Sequence, residues 1–289
     1  MTFNDNADIS GGKVGRRGRT GLILGGGGGG LLVVGLIILS QVLGVDLTPL
    51  AGGSASGDSS AENIQCDTGA QANTDLDCRM KGAAAALDTY WVDEAPSLGV
   101  QYTSPHFALF TDQTNTGCGT ATSATGPFYC PADQILYVDT GFFDDLRTQY
   151  GSSGGPLAEM YVVAHEWGHH IQNLAGVLKN QSQATGPGSE SIRIELQADC
   201  FAGAWVGSAS KTKDENGVPF LKPVTDAQLK DALSAASAVG DDRIQAQSGV
   251  VNPESWTHGS SDQRQRWFLT GYRSGATGCD TFTPSTTNL

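Results

Sequence analysis

The sequence predicts one α+β domain, mostly helical with a small β-sheet, behind an N-terminal transmembrane helix. Three observations lead there. An uncharged run at residues 21–45 is long enough to cross a bilayer, β-forming segments are few and short, and long stretches after residue 156 carry apolar residues at helical spacing. With 289 residues, 39% hydrophobic and 16% charged, the chain can bury the core of one ordinary domain and a small appendage.

The N-terminus is read first for membrane signals. Lys13, Arg16, Arg17 and Arg19 precede "GLILGGGGGGLLVVGLIILSQVLGV", residues 21–45. Its glycines lower helix propensity, but residues 31–39 form an unbroken apolar stretch, and glycine is commoner in membrane helices than in soluble ones. A cleaved signal peptide has a shorter apolar region, about 7–15 residues, so an uncleaved signal anchor fits better. Basic residues before the span, and none after it until Arg79, orient residues 1–20 as a cytoplasmic tail. The expected organisation is a single-pass cell-membrane protein in contact with the lipid bilayer through residues 21–45. A flexible linker follows at 46–63, rich in Gly, Ser and Ala, and then an extracytoplasmic domain at 64–289.

Charge and cysteine content narrow the function. A net charge of −13 repels nucleic-acid phosphates, so DNA and RNA are not expected partners. All six cysteines follow the apolar span; an even number outside the cytoplasm suggests disulfides. Many pairings are open. Pairing neighbours would join Cys66 to Cys78 and Cys118 to Cys130, leaving Cys200 to tie a helix to the C-terminal tail at Cys279.

Within the domain, "DCRMKGAAAALDTYWVDEA" has apolar residues at helical spacing and should end as a helix before Pro96. "HFALFTD" and "QILYVDT" read as strands. After "GSSGGP", with Pro156 suited to a first helical turn, a helix is expected over 157–178.

That helix carries "HEWGHH", which gathers three of the chain's five histidines. His165 and His169, four apart, share a helix face and can converge on one metal ion, with Glu166 beside them. Such an H-E-x-x-H pattern holds Zn²⁺ through two neutral imidazoles while the glutamate takes a proton from the attacking water. The plainer alternative is a pair of hydrogen-bonded core histidines. A third ligand tips the balance. In "RIELQADCFAGAW" Glu195 can complete a His₂Glu set, and Asp199, one helical turn on, can bond the other nitrogen of a ligating histidine.

"HEWGHH" followed by Glu195 in E-x-x-x-D resembles the gluzincin metallopeptidases. More closely, "VVAHEWGHHIQ", "RIELQADCFAGAW", "AVGDDRIQ" and "THGSSDQRQRWFLTGY" together resemble the bacterial putative neutral zinc metallopeptidase family, over most of the chain after about residue 80. The resemblance implies a zincin-like fold, peptide or protein substrates, an N-terminal membrane anchor and metalloendopeptidase activity. It also implies a catalytic role for His258, as a donor to the oxyanion, and a supporting role for Arg264 in orienting groups around the ligands.

Other features carry less. Trp167 is simplest as core and Gly168 as a close-packing position; His170 lies on another face, at the surface or behind the ligands. Asp241 and Asp242 suit helix capping better than a calcium cage. No G-K-[ST] loop occurs. The alternative to an enzyme is an inactive zincin-like domain with structural zinc that serves as a binding or assembly module. Glu166 argues against it, since a structural site needs no base and closes its fourth position with a side chain.

Overall fold

The computed structural model describes residues 2–17, 62–179, 182, 184–247 and 249–289. A mixed sheet backs a layer of helices. Its strands are β1 (Val14–Arg16), β2 (Glu62–Asn63), β3 (His106–Phe110), β6 (Phe128–Cys130) and β7 (Ile135–Asp139), in the order β2-β1-β3-β7-β6. The centre, β1-β3-β7, is parallel, and both edge strands run antiparallel to their neighbours. Between β3 and β6 the chain makes a separate hairpin, β4 (Gln113–Thr116) and β5 (Gly119–Thr122).

Strand alternation explains the two faces. Phe107, Leu109, Leu136 and Val138 join the main core, while Ala108, Phe110 and Tyr137 pack with Ala121 of the hairpin and Cys130 in a smaller cluster. Both strands expected from the sequence are present; β1, β2, β6 and the hairpin were too short or too polar to register as alternating segments.

Eight α-helices lie among the described residues. They are α1 (Gly69–Thr74), α2 (Leu76–Glu94), α3 (Phe142–Thr148), α4 (Pro156–Leu174), α5 (Glu190–Ser208), α6 (Asp226–Ala238), α7 (Asp241–Ala246) and α8 (Ser261–Ser274). The helix expected over 157–178 starts at Pro156 and stops at Leu174. Gly176, at φ 79°, adopts the left-handed conformation that ends it. Helices α4, α5 and α8 cross at close range. A Cβ on Gly168 would lie 3.0 Å from the Ala198 Cα, and one on Gly271 would lie 1.8 Å from the Cys200 carbonyl oxygen. The backbones therefore meet where no side chain fits.

Three disulfides join Cys66 to Cys78, Cys118 to Cys130 and Cys200 to Cys279, the neighbour pairing expected from the sequence. The last ties α5 to the C-terminal segment.

The N-terminus departs from expectation. Residues 2–17, read as a tail separate from the domain, are built into it. Phe3, Ala7, Ile9 and Val14 are buried in the main core, and β1 lies between β2 and β3, with Gly15 opposite both Asn63 and Ala108. Two of the basic residues taken as an orientation signal, Arg16 and Arg17, have partners there. Arg16 pairs with Asp77, and the Arg17 guanidinium sits 5.0 Å from the Tyr137 ring centre while donating to the Asn115 carbonyl. So few apolar residues, at irregular spacing, leave no periodic signal. Among the described residues no helix is long and apolar enough to cross a membrane; the run 21–45 and most of the expected linker lie outside them.

Burial of the N-terminal segment makes a measurable prediction. Phe3→Ala should destabilise the domain by about 3–5 kcal/mol, as for a fully buried aromatic, read from urea unfolding. A loss below about 1 kcal/mol would mean that Phe3 is not in the core.

Candidate metal centre

One turn of α4 and one turn of α5 face each other across the Gly168–Ala198 contact, and that contact builds the site. His165 and His169 project from α4 with ring centres 4.8 Å apart. Glu195 of α5 reaches between them, its Oε2 3.1 Å from His165 Nε2 and its Oε1 3.5 Å from His169 Nε2. The three donor groups lie within 4.8 Å of one another.

These distances test the fit to zinc. Bonds of about 2.0–2.1 Å at tetrahedral angles separate neighbouring donors by about 3.3 Å, and the observed 3.1 and 3.5 Å bracket that value. Two imidazoles and a carboxylate are a zinc donor set. Among the described residues no fourth His, Cys, Asp or Glu joins the group, so the arrangement is that of an open site. A second cluster, Cys66, Asp75 and Cys78, is ruled out because its thiols are spent in a disulfide.

Behind the ligands, a buried polar layer sets their orientation. Asp199 is fully buried and accepts from His165 Nδ1 at 2.9 Å, which turns Nε2 toward Glu195. Its other partners are Arg264, whose Nε and Nη2 make a two-pronged contact at 2.8 and 3.0 Å, and the Tyr161 hydroxyl. Arg264 also donates to the Val239 carbonyl and to the Tyr161 oxygen. Burial alone would raise the Asp199 carboxyl, but Arg264 and His165 reverse that and hold it low. Both residues expected behind the ligands, Asp199 and Arg264, are found there. Tyr161 was missed because it reads as one more apolar position of α4.

Burial likewise opposes charge on His165, but Asp199 and Glu195 outweigh it and push the metal-free imidazole up to about 10. Glu195 is driven well below the ordinary carboxylate range: desolvation works against it, and His169, His165 and His258 overcome it.

Glu166 is 7% exposed, and its carboxylate makes no hydrogen bond or ion pair with the described residues. His258 comes from the loop before α8. Gly259 beside it, at φ 89°, packs against Ile192 and Leu196, which brackets His258 to the turn of α5 bearing Glu195. Its ring is held by Asp241, 3.2 Å from Nδ1, and by the Thr257 hydroxyl at 2.9 Å. Desolvation opposes its charge, but the Asp241 contact and the field of Glu195 prevail, so His258 is raised.

Two expectations are corrected. Asp241 does not cap its own helix: its Oδ2 accepts the backbone N–H groups of Thr257, His258 and Gly259, fastening the loop that carries His258. His170 is neither at the surface nor behind the ligands. It is fully buried, donates from Nε2 to the Thr103 carbonyl and accepts the Tyr129 hydroxyl on Nδ1, so it ties α4 to β6. Trp167 is core as expected, with its indole N–H on the Tyr102 hydroxyl.

Because the metal-free His165 keeps its proton up to about pH 10, a metal must displace that proton at neutral pH. Zinc affinity should therefore climb as pH rises toward 10, with about one proton released per zinc at pH 7. Calorimetric titration in buffers of different ionisation enthalpy measures this; a binding heat independent of buffer would refute it.

The comparisons agree with the geometry. Residues 3–282 match the family model described as "Putative neutral zinc metallopeptidase". The chain is 54% identical over 222 residues to the uncharacterized protein Rv2575 of Mycobacterium tuberculosis, covering 75% of this chain and 74% of the relative. It is 38% identical over 262 residues to the uncharacterized protein YpfJ of Escherichia coli K12, covering 86% of each. No solved structure matches it. With two histidines four apart on one helix, a carboxylate at zinc-ligand distance and a family match spanning nearly its whole length, the chain belongs to the family described as "Putative neutral zinc metallopeptidase".

Proposed function

We propose that the domain is a metalloendopeptidase that hydrolyses peptide bonds with Glu166 as general base. The observation that carries this is the pairing of an open three-donor cluster with a neighbouring buried carboxylate, Glu166, that has no hydrogen-bond or ion-pair partner among the described residues. His165, His169 and Glu195 would hold zinc. When bound, it supplies Lewis acidity, polarising the scissile carbonyl and making water a competent nucleophile near neutral pH.

The chain's own groups do the rest. Glu166 accepts the proton of the attacking water and returns it to the departing amine, which needs a carboxylate not tied up in an ion pair. His258, with Nδ1 on Asp241, has Nε2 free to donate, and the contact with Asp241 and the field of Glu195 favour the protonated imidazole that a developing oxyanion needs. Asp199, Arg264 and Tyr161 keep His165 in register.

Glu166→Gln should keep zinc and lose about 10²–10⁴ in kcat on casein or a peptide library. His258→Ala should keep zinc and lose about 10²–10³. Full activity in the first variant would remove Glu166 from the mechanism. Stoichiometric zinc without cleavage of any peptide by the unaltered protein would favour the binding-module reading.

We propose further that the domain works outside the cytoplasm, associated with a bilayer through residues 21–45. Three disulfides suit an oxidising compartment. Pairing of Gly15 with Asn63 puts both flanks of the apolar run on one folded body, so both flanks should lie on the domain's side of the membrane. Ser10 and Ser97 are exposed. Ser10→Cys and Ser97→Cys should both react with an impermeant maleimide in intact cells; protection of Ser10→Cys alone would restore a single crossing with a cytoplasmic tail.

A further inference from the structure

The His165 ring is oriented by Asp199, but His169 has a different support. Its Nδ1 lies 2.8 Å from the Oε1 of Gln172, one turn further along α4. Gln172 is 1% exposed. Its Nε2 donates to the Ile194 carbonyl at 2.7 Å and to Gln197 Oε1 at 3.0 Å, both on α5.

The chemistry of these partners fixes every atom. A carbonyl oxygen only accepts, so the side of Gln172 facing Ile194 is the NH₂ group and the side facing His169 is the oxygen. Oxygen there requires Nδ1 of His169 to carry the hydrogen, which leaves the Nε2 lone pair for the metal. Ile194 immediately precedes Glu195. One amide thus orients one metal donor and grips the backbone next to another, across the two helices that must come together for the site to exist.

We propose that Gln172 is a positioning residue of the metal centre, holding His169 in its ligating tautomer and locking α4 to the Glu195 turn of α5. This rests on the reading of His165, His169 and Glu195 as zinc ligands. Being neutral, the amide does this without adding a second buried negative charge beside Asp199, so it orients a ligand without weakening the electrophilicity of the cation.

Two variants test it in the full domain, with zinc affinity measured by chelator competition. Gln172→Met preserves bulk and removes the acceptor; Gln172→Glu keeps an acceptor for Nδ1–H. Gln172→Met should bind zinc about 10–100-fold more weakly and lose the slowly exchanging His169 Nδ1–H resonance expected of the zinc-loaded unaltered protein. Gln172→Glu should retain that resonance, with a zinc affinity between those of Gln172→Met and the unaltered protein, because its second oxygen cannot donate to the Ile194 carbonyl. Unchanged zinc affinity in Gln172→Met would overturn the proposal, as would loss of the resonance in folded Gln172→Glu. Should Gln172→Met fail to fold, loss of the resonance in folded Gln172→Glu refutes the acceptor role. If the unaltered protein binds no zinc, the ligand reading fails and takes this one with it.

Discussion

The carboxylate of Asp199 is the point on which the centre turns. It is fully buried and ionised, and it survives there because Arg264, His165 and Tyr161 each contribute a hydrogen-bond donor. A charge in such surroundings is tolerated only when paired and fully hydrogen-bonded; stripping one partner from a buried pair costs about 3–5 kcal/mol. Three helices are joined through that one group: α4 by His165 and Tyr161, α5 by Asp199 itself, and α8 by Arg264. Small residues at the crossings, Gly168 against Ala198 and Gly271 against Cys200, bring the backbones near enough for these short contacts.

Each of the three imidazoles around the cleft is held on Nδ1 by a different chemistry. His165 has a paired carboxylate, His169 a neutral amide, and His258 a carboxylate that also gathers three backbone N–H groups of its own loop. For His165 and His169 this leaves Nε2 facing Glu195. A second-layer partner fixes both ring angle and tautomer, which accounts for the convergence of donors at the spacing a tetrahedral ion requires.

Away from the cleft, the fold is closed by distant parts of the chain. Residues 2–17 complete the sheet and the core beneath it, and the Cys200–Cys279 bridge pins the C-terminal segment to the helix bearing Glu195. Gln197 extends that link by donating to the Cys279 carbonyl. The disulfide is thus continuous with the polar layer behind His169.

Much of the site was legible from spacing. A four-residue interval on a helix places His165 beside His169 whatever the tertiary context, and the same interval joins Glu195 to Asp199. Long periodic segments announced α2, α4 and α5, and neighbour order suggested the three disulfides. By contrast β1, the hairpin and the inclusion of residues 2–17 in the core were invisible, because a strand of three residues has too few positions to show a period. Tyr161, His170 and Asp241 looked like an apolar position, a residue at the surface or behind the ligands, and a helix cap, and Gln172 gave no signal. Their roles come from partners far along the chain, and only packing decides which partner arrives. The sequence alone determined which helix turns carry metal-binding chemistry, because local helical geometry links residues four apart. The tertiary structure alone decided that those turns meet and which buried groups orient them, because desolvated hydrogen bonds depend on neighbours brought together by folding.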